Sequence, residues 1–596
     1  MNRSWSWIWR RVASVGLVIA PGAVAGCLTD PTPRFGELVN EIWEFQLRED
    51  PLLATSAGDT RYNDRLPSVA EEDQERRAAA KRDFLERLER IERARLAAAD
   101  RVSYDVLRRQ LRDDLTDYEF RAYLVPITAD WGFHMGFARL PNDVPLQTVA
   151  DYEHYLARLQ AFQRYVEQHI ALMRRGLEQG FVLPRVVLAG YDETIRAHVV
   201  DDPTRSVLYR PFAAFPTTVP EAERPRLEAA GRTAVATAVV PGYRAFLDFM
   251  TGEYMPGARA SIGASELPNG QAYYSHLVEH YTTLPLTPEG VHQAGLDEVR
   301  RIRSEMEAVI KQVGFRGDFA AFLRFLRTDP RFYARTPEEL LKEASFIAKR
   351  MDGRLPSLFK TLPRQPYGVE PVPDEIAPKF TSGRYVSAPV GSTQPGRYWV
   401  NTYALNSRPL YALEALTLHE AVPGHHLQIA LAQELTGVPA FRRFADATAF
   451  AEGWGLYAER LGLEVGFYQD PYRQFGRLTY EMWRACRLVV DTGMHAMGWT
   501  RQQAADFMTQ NTALSLHEIG TEIDRYISWP GQALAYKIGE LKIRQLRREA
   551  EQALGPRFDV RDFHEVVLRN GAIPLGVLET QVRNYIESTR AGAVGR

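Results

Sequence analysis

One seven-residue stretch, His419-Glu420-Ala421-Val422-Pro423-Gly424-His425, limits this chain more than any other. Histidine followed by glutamate opens the helical His-Glu-x-x-His pattern, in which imidazoles four apart share a face and hold zinc while the glutamate serves as base. Here position 423 is proline, and the next histidine comes six residues after the first. In a regular helix that side chain points about 120° away from His419. Pro423 removes the bond to the His419 carbonyl and Gly424 accepts unusual dihedrals, so the pair predicts a local bulge that returns His425 to the metal. His426 competes for the same role. It is nearly in phase with His419, but about 10 Å along the axis, too far for both to bind one ion unless the helix breaks.

Zinc catalysis requires three protein ligands and an open position for water, with a carboxylate nearby to take that water's proton. The third ligand is expected from a later helix, and Glu452 is the choice. Its surroundings, Ala451-Glu452-Gly453-Trp454-Gly455, resemble the Asn-Glu-Gly-aromatic-Ala pattern of the gluzincin aminopeptidases, whose glutamate binds zinc. Glu459, seven residues on and near the same face, is expected behind the metal or against substrate.

The resemblance extends beyond the motif. His-Glu-Ala-Val-Pro-Gly-His-His-Leu-Gln (419–428), Glu-Gly-Trp-Gly-Leu-Tyr-Ala-Glu (452–459) and Pro-Gly-Gln-Ala-Leu-Ala-Tyr-Lys-Ile-Gly (530–539) are similar to the bacterial family catalogued as domain of unknown function 885, which is grouped with the gluzincin metallopeptidases. Further similar stretches at 270–274 and 484–493 carry the likeness across most of the chain. The resemblance implies a mainly α fold with a small β-sheet, a gluzincin-like helical body around a zinc cleft, and zinc dependence. It does not imply a substrate.

In that scheme zinc sits on His419, His425 and Glu452, and Glu420 accepts the water proton and returns it to the leaving amine. Tyr526 and Tyr536 are candidates for the oxyanion donor, because tyrosines near the C-terminus serve that role in related peptidases. Arg484 and Arg487 lie on an otherwise apolar helix, so each needs an anion: a substrate carboxylate, or a structural partner such as Asp491. The strand around Tyr398 to Tyr403 is a candidate to pair with extended substrate, or simply closes the sheet.

Patterns of apolar residues predict helices from residue 38 onward, among them Leu146 to Gln179, Pro288 to Val313, Leu410 to Leu435, Pro439 to Leu463, Pro471 to Gly498 and Gly531 to Leu554. Strands are expected at Phe380 to Pro389 and Arg397 to Tyr403. No repeat or flexible linker divides the chain, so residues 27–596 read as one large helical domain. A net charge of −2 over 596 residues gives no reason to expect nucleic acid.

The first 26 residues read as a signal peptide, with Arg10-Arg11 before an apolar run too short to span a bilayer. Val24-Ala25-Gly26-Cys27 resembles the bacterial lipobox, which makes Cys27 the lipid-bearing first residue of a membrane-anchored chain. Leu28 after it favours the outer membrane, facing the periplasm. Only Cys486 remains, so the lipidated product has no intrachain disulfide.

The residues together point to zinc-dependent hydrolysis of short peptides at the cell envelope. A zinc hydrolase for a non-peptide amide or ester, and a non-catalytic peptide-binding lipoprotein, are the alternatives. Glu420, which a purely structural zinc site does not need, argues against the last.

Overall fold

The computed structural model describes residues 30–374, 376–390 and 394–592, so the expected signal segment and Cys27 lie outside the described residues. Helices dominate, and the largest apolar cluster draws on side chains from Phe35 to Ile586. The helices that matter for the site are α1 (Ala98–Glu119), α2 (Gly270–Thr282), α3 (Pro288–Gln312), α4 (Leu410–Glu420), α5 (His425–Gln433), α6 (Thr448–Leu461), α7 (Pro471–Ala496), α8 (Leu516–Ser528) and α9 (Ala535–Leu554).

At the centre lies α7, buried on all faces from Phe475 to His495. Its start is set locally: Pro471 fits the first helical position and the Asp470 side chain accepts the Tyr472 amide. A helix buried all round is ordinarily apolar, yet α7 carries Arg477, Glu481, Arg484, Arg487 and Asp491 inside the protein. Each therefore needs a partner, and the neighbouring helices supply them. Cys486 on the same helix is fully buried, and burial pushes its thiol pKa up, as befits an inert core residue.

Glycines let the site helices approach backbone to backbone. A Cβ on Gly539 of α9 would lie 1.9 Å from the Ala449 carbonyl oxygen of α6, and one on Gly476 of α7 would lie 2.0 Å from the Tyr411 carbonyl oxygen of α4. Gly453 faces Gly539 in the same way, with a Cβ there only 2.5 Å from the Gly539 backbone. Glu452, next to Gly453, is thereby fixed in depth.

A three-stranded sheet covers one side of α4: β1 (Tyr367–Pro371), β2 (Gly383–Val386) and β3 (Gly396–Val400). The order is β1-β3-β2, with β1 parallel and β2 antiparallel to β3. This corrects one expectation: the strand at Tyr398 is central and paired on both sides, so it cannot accept an extended substrate. The strand of the sheet that lies against α4 is β2, whose outer residues Gly383 and Tyr385 are buried. The expected strand at Phe380 to Pro389 shortens to β2, and β1 had no sequence signal beyond its neighbouring prolines.

The expected continuous helix Leu410 to Leu435 is two helices, α4 and α5. The stretch expected as helix from Pro439 begins instead with a short 3-10 turn, and α6 starts at Thr448.

Replacing Gly539 by alanine is expected to drive α6 and α9 apart, costing about 1–3 kcal/mol of stability. Denaturant unfolding checks this; a change below about 0.5 kcal/mol, the range of an ordinary surface substitution, would show that the contact is not tight.

Candidate metal centre

The helix α4 stops at Glu420, where Ala421 leaves the helical region at φ −91° and ψ −112°. Four residues later α5 begins, after Gly424 at φ −79° and ψ −127°. A Cβ on Gly424 would lie 1.9 Å from the His419 carbonyl oxygen, so no other residue fits. The indole Nε1 of Trp454 donates to the Pro423 carbonyl at 2.8 Å and pins the turn to α6. The expected bulge is thus a full break, and the two histidines sit on different helices.

The break brings three donors to one point. Glu452 Oε2 lies 3.2 Å from His425 Nε2 and 3.5 Å from His419 Nε2. The two rings are 4.7 Å apart and perpendicular, at 89°. Metal–donor bonds of about 2.0–2.2 Å in a tetrahedron put donors about 3.3 Å apart, which matches these spacings. Glu452 Oε2 is buried and has no hydrogen-bond partner among the described residues, so its lone pairs are left for a cation. The donor set of two imidazoles and a carboxylate suits zinc.

Glu459, fully buried, accepts from His419 Nδ1 at 2.9 Å. That bond puts the proton on Nδ1 and leaves the Nε2 lone pair facing Glu452. Burial works against a charged His419, yet the Glu452 and Glu459 carboxylates outweigh it and raise its pKa to about 10. Glu452 is held well below the carboxylate range, because His425 and His419 overcome the cost of its burial. The local field therefore favours positive charge where the three donors meet.

Glu420 stands next to the first ligand on the last turn of α4. Its Oε2 accepts from the Tyr385 amide of β2 at 2.8 Å. The edge of the sheet thus orients the candidate base. His426 is turned away: its Nδ1 meets the Tyr385 hydroxyl at 3.0 Å, its ring lies 4.5 Å from that of Tyr367, and burial lowers its pKa to about 4.

The two tyrosine candidates separate. Tyr526 is buried, with its hydroxyl donating to Glu522 at 2.7 Å and accepting from Arg487 at 2.7 Å and from Trp483 at 2.9 Å. No donor is left over for a substrate. Tyr536 lies nearer, with its ring 6.4 Å from that of His419 and its hydroxyl 3.3 Å from Arg525.

The two arginines also separate. Arg484 sits behind the ligands, 3.3 Å from Glu459 and over the rings of Tyr480 and Trp483. Arg487 pairs with Glu522 at 2.9 Å, not with Asp491, and lies 4.2 Å from the Tyr536 ring centre. Asp491 instead accepts from the Tyr274 hydroxyl and the Gly531 amide. One buried guanidinium nitrogen of Arg487, Nη1, has no hydrogen-bond partner among the described residues.

Sequence reasoning missed α8, which carries Glu522, Arg525 and Tyr526. Its signal was present: Ser515 caps the Glu518 amide, the spacing of a helix start. Tyr385 had no signal, because its part is played by a backbone amide.

Comparison with known proteins follows the geometry. A structure from Colwellia psychrerythraea, provisionally described as a lipoprotein, is similar with a TM-score of 0.86 and 28% identity, covering 93% of this chain and 99% of that one. A second, from Shewanella oneidensis and provisionally described as a lipoprotein of unknown function, has a TM-score of 0.71 at 17% identity, covering 92% of this chain and 99% of that one, and shares the fold. No curated protein matches. Residues 51–582 match the family described as bacterial protein of unknown function (DUF885), and the chain belongs to that family.

Proposed function

We propose that this protein is a zinc-dependent hydrolase of peptide bonds in short peptides, held at the cell envelope by a lipid on Cys27. The observation that carries the reading is the convergence of His419 Nε2, His425 Nε2 and Glu452 Oε2, with Glu420 next to His419 on the last turn of α4. A purely structural zinc site does not need that glutamate. Zinc held by His419, His425 and Glu452 would supply Lewis acidity and a water nucleophile near neutral pH.

The chain's own residues then divide the work. Glu420, with one oxygen fixed by the Tyr385 amide, accepts a proton from the attacking water and passes it to the leaving amine. Glu459 keeps His419 in the tautomer that faces the metal, and Arg484 balances the Glu459 charge. Tyr536 donates to the oxygen that gains charge as the carbonyl is attacked, with Arg525 against its hydroxyl. Arg487, fully buried and paired with Glu522, backs the ring of Tyr536 from 4.2 Å.

For location, the lipobox-like Val24 to Cys27 agrees with the description of the Colwellia relative. No helix among the described residues is long and apolar enough to cross a membrane. A lipid on Cys27, with Leu28 following, places the body on the periplasmic face of the outer membrane.

Glu420→Gln is expected to lower peptide turnover at least about 100-fold while zinc stays bound. Incubation of both proteins with a mixed peptide library, read by mass spectrometry, tests this; cleavage at the native rate by the variant, or no cleavage by the native protein, contradicts the reading. Glu459→Gln is expected to weaken zinc binding by about 10–100-fold. Competition with a chromophoric chelator measures it, and unchanged affinity would remove Glu459 from its supporting role.

A further inference from the structure

A second group of metal-ligand side chains lies between α1 and α2. His276 and His280 are four residues apart on α2 and so share one face. Asp117, in the last turn of α1, points at them: its Oδ1 is 2.8 Å from His276 Nε2. One donor atom from each of Asp117, His276 and His280 lies within 4.8 Å of the other two. All three are half-buried, so the group is sheltered yet open to ions from solution.

The surroundings favour a cation. Asp113, one turn before Asp117, approaches the buried His280 Nδ1 to 3.5 Å, and no hydrogen bond meets that nitrogen among the described residues. Asp113 is held in place by Arg109, whose Nε donates to it at 2.7 Å. His276 is steadied by stacking on Phe120 at 5.7 Å. An ion pair between one histidine and one aspartate explains His276 and Asp117 alone. A second pair, His280 with Asp113 at 3.5 Å, accounts for the other two side chains, but neither pair requires that donor atoms of Asp117, His276 and His280 all come within 4.8 Å of one another.

We propose that Asp117, His276 and His280 form a second divalent-metal site, with Asp113 supporting His280 from behind. Two imidazoles and one carboxylate select a borderline first-row ion such as zinc over magnesium or calcium. The site joins the N-terminal helices to α2, and α2 packs on α6, α7 and α9, which carry or border the first centre. Tyr274 of α2 donates to Asp491 of α7 at 2.6 Å. The ion is a clamp that ties α1 to the helices of the cleft. This inference does not rest on the hydrolase reading.

The test counts metal. Purified protein is stripped with chelator, reloaded with zinc, desalted and analysed for metal per chain, and its thermal midpoint is recorded with and without zinc. Native protein is expected to hold two equivalents; His276→Ala/His280→Ala holds one, and His419→Ala/His425→Ala holds one and still gains thermal stability from zinc. Asp117→Asn, which preserves shape, is expected to release the second equivalent at least about tenfold more readily to a competing chelator. A native protein with one equivalent that disappears with His276 and His280 would keep this site and remove the first. Native stoichiometry in both His276→Ala/His280→Ala and Asp117→Asn, or no thermal response to zinc in His419→Ala/His425→Ala, overturns the proposal.

Discussion

The site exists because a helix is broken in one place. A continuous helix through residues 410–435 would separate His419 and His425 by about 120°, and would carry a proline in its interior at a cost of about 3 kcal/mol. Ending α4 at Glu420 and restarting at His425 avoids both. The turn has its own requirements: Gly424 must pass the His419 carbonyl without a side chain, and Trp454 must hold the Pro423 carbonyl. Trp454 is two residues from Glu452, so one helix both fastens the break and supplies the third donor. Gly455 adds a further constraint, since a Cβ there would lie 2.7 Å from the His419 ring.

Around that break, charge is arranged in layers inside a core that is otherwise apolar. Glu459 stands between His419 and Arg484, and Glu522 stands between Arg487, Arg525 and Tyr526. Deeper still, Lys537 is enclosed by Glu298, Glu481 and Glu540. Buried ions of this kind are tolerated only with close partners, and removing one partner leaves a charge without compensation. The tight packing that shields them comes from α7, which touches α3 and α4, and from the glycine-lined contact of α6 with α9. Rigidity at the metal point therefore depends on residues far from it in sequence.

Part of this was legible before any coordinates. The histidine spacing and the resemblance of the stretch around Glu452 singled out three side chains that lie together, and Glu459, expected behind that group or against substrate, contacts His419. The Pro-Gly pair announced a distortion, but not its extent: whether a helix bulges or breaks depends on what another element can hold in the turn, and here Trp454 fastens the Pro423 carbonyl. What the sequence withheld depends on long-range contact. The Tyr385 amide that holds Glu420 is 35 positions away and has no side-chain signature. Strand order was equally hidden, since an aromatic-rich strand such as Gly396–Val400 reads alike in the middle or at the edge of a sheet. Tyr526 and Tyr536 looked equivalent in sequence, and only the ring of hydrogen bonds around Tyr526 tells them apart.

The central claim is that one ion is shared by side chains from α4, α5 and α6. Crystals of the zinc-loaded protein, with anomalous difference maps collected on both sides of the zinc absorption edge, test it most directly. The account predicts a peak about 2.0–2.2 Å from each of His419 Nε2, His425 Nε2 and Glu452 Oε2, with Glu420 outside bonding distance. An absence of zinc at that point, or zinc bound through Glu420 or His426 in place of Glu452 or His425, would contradict it.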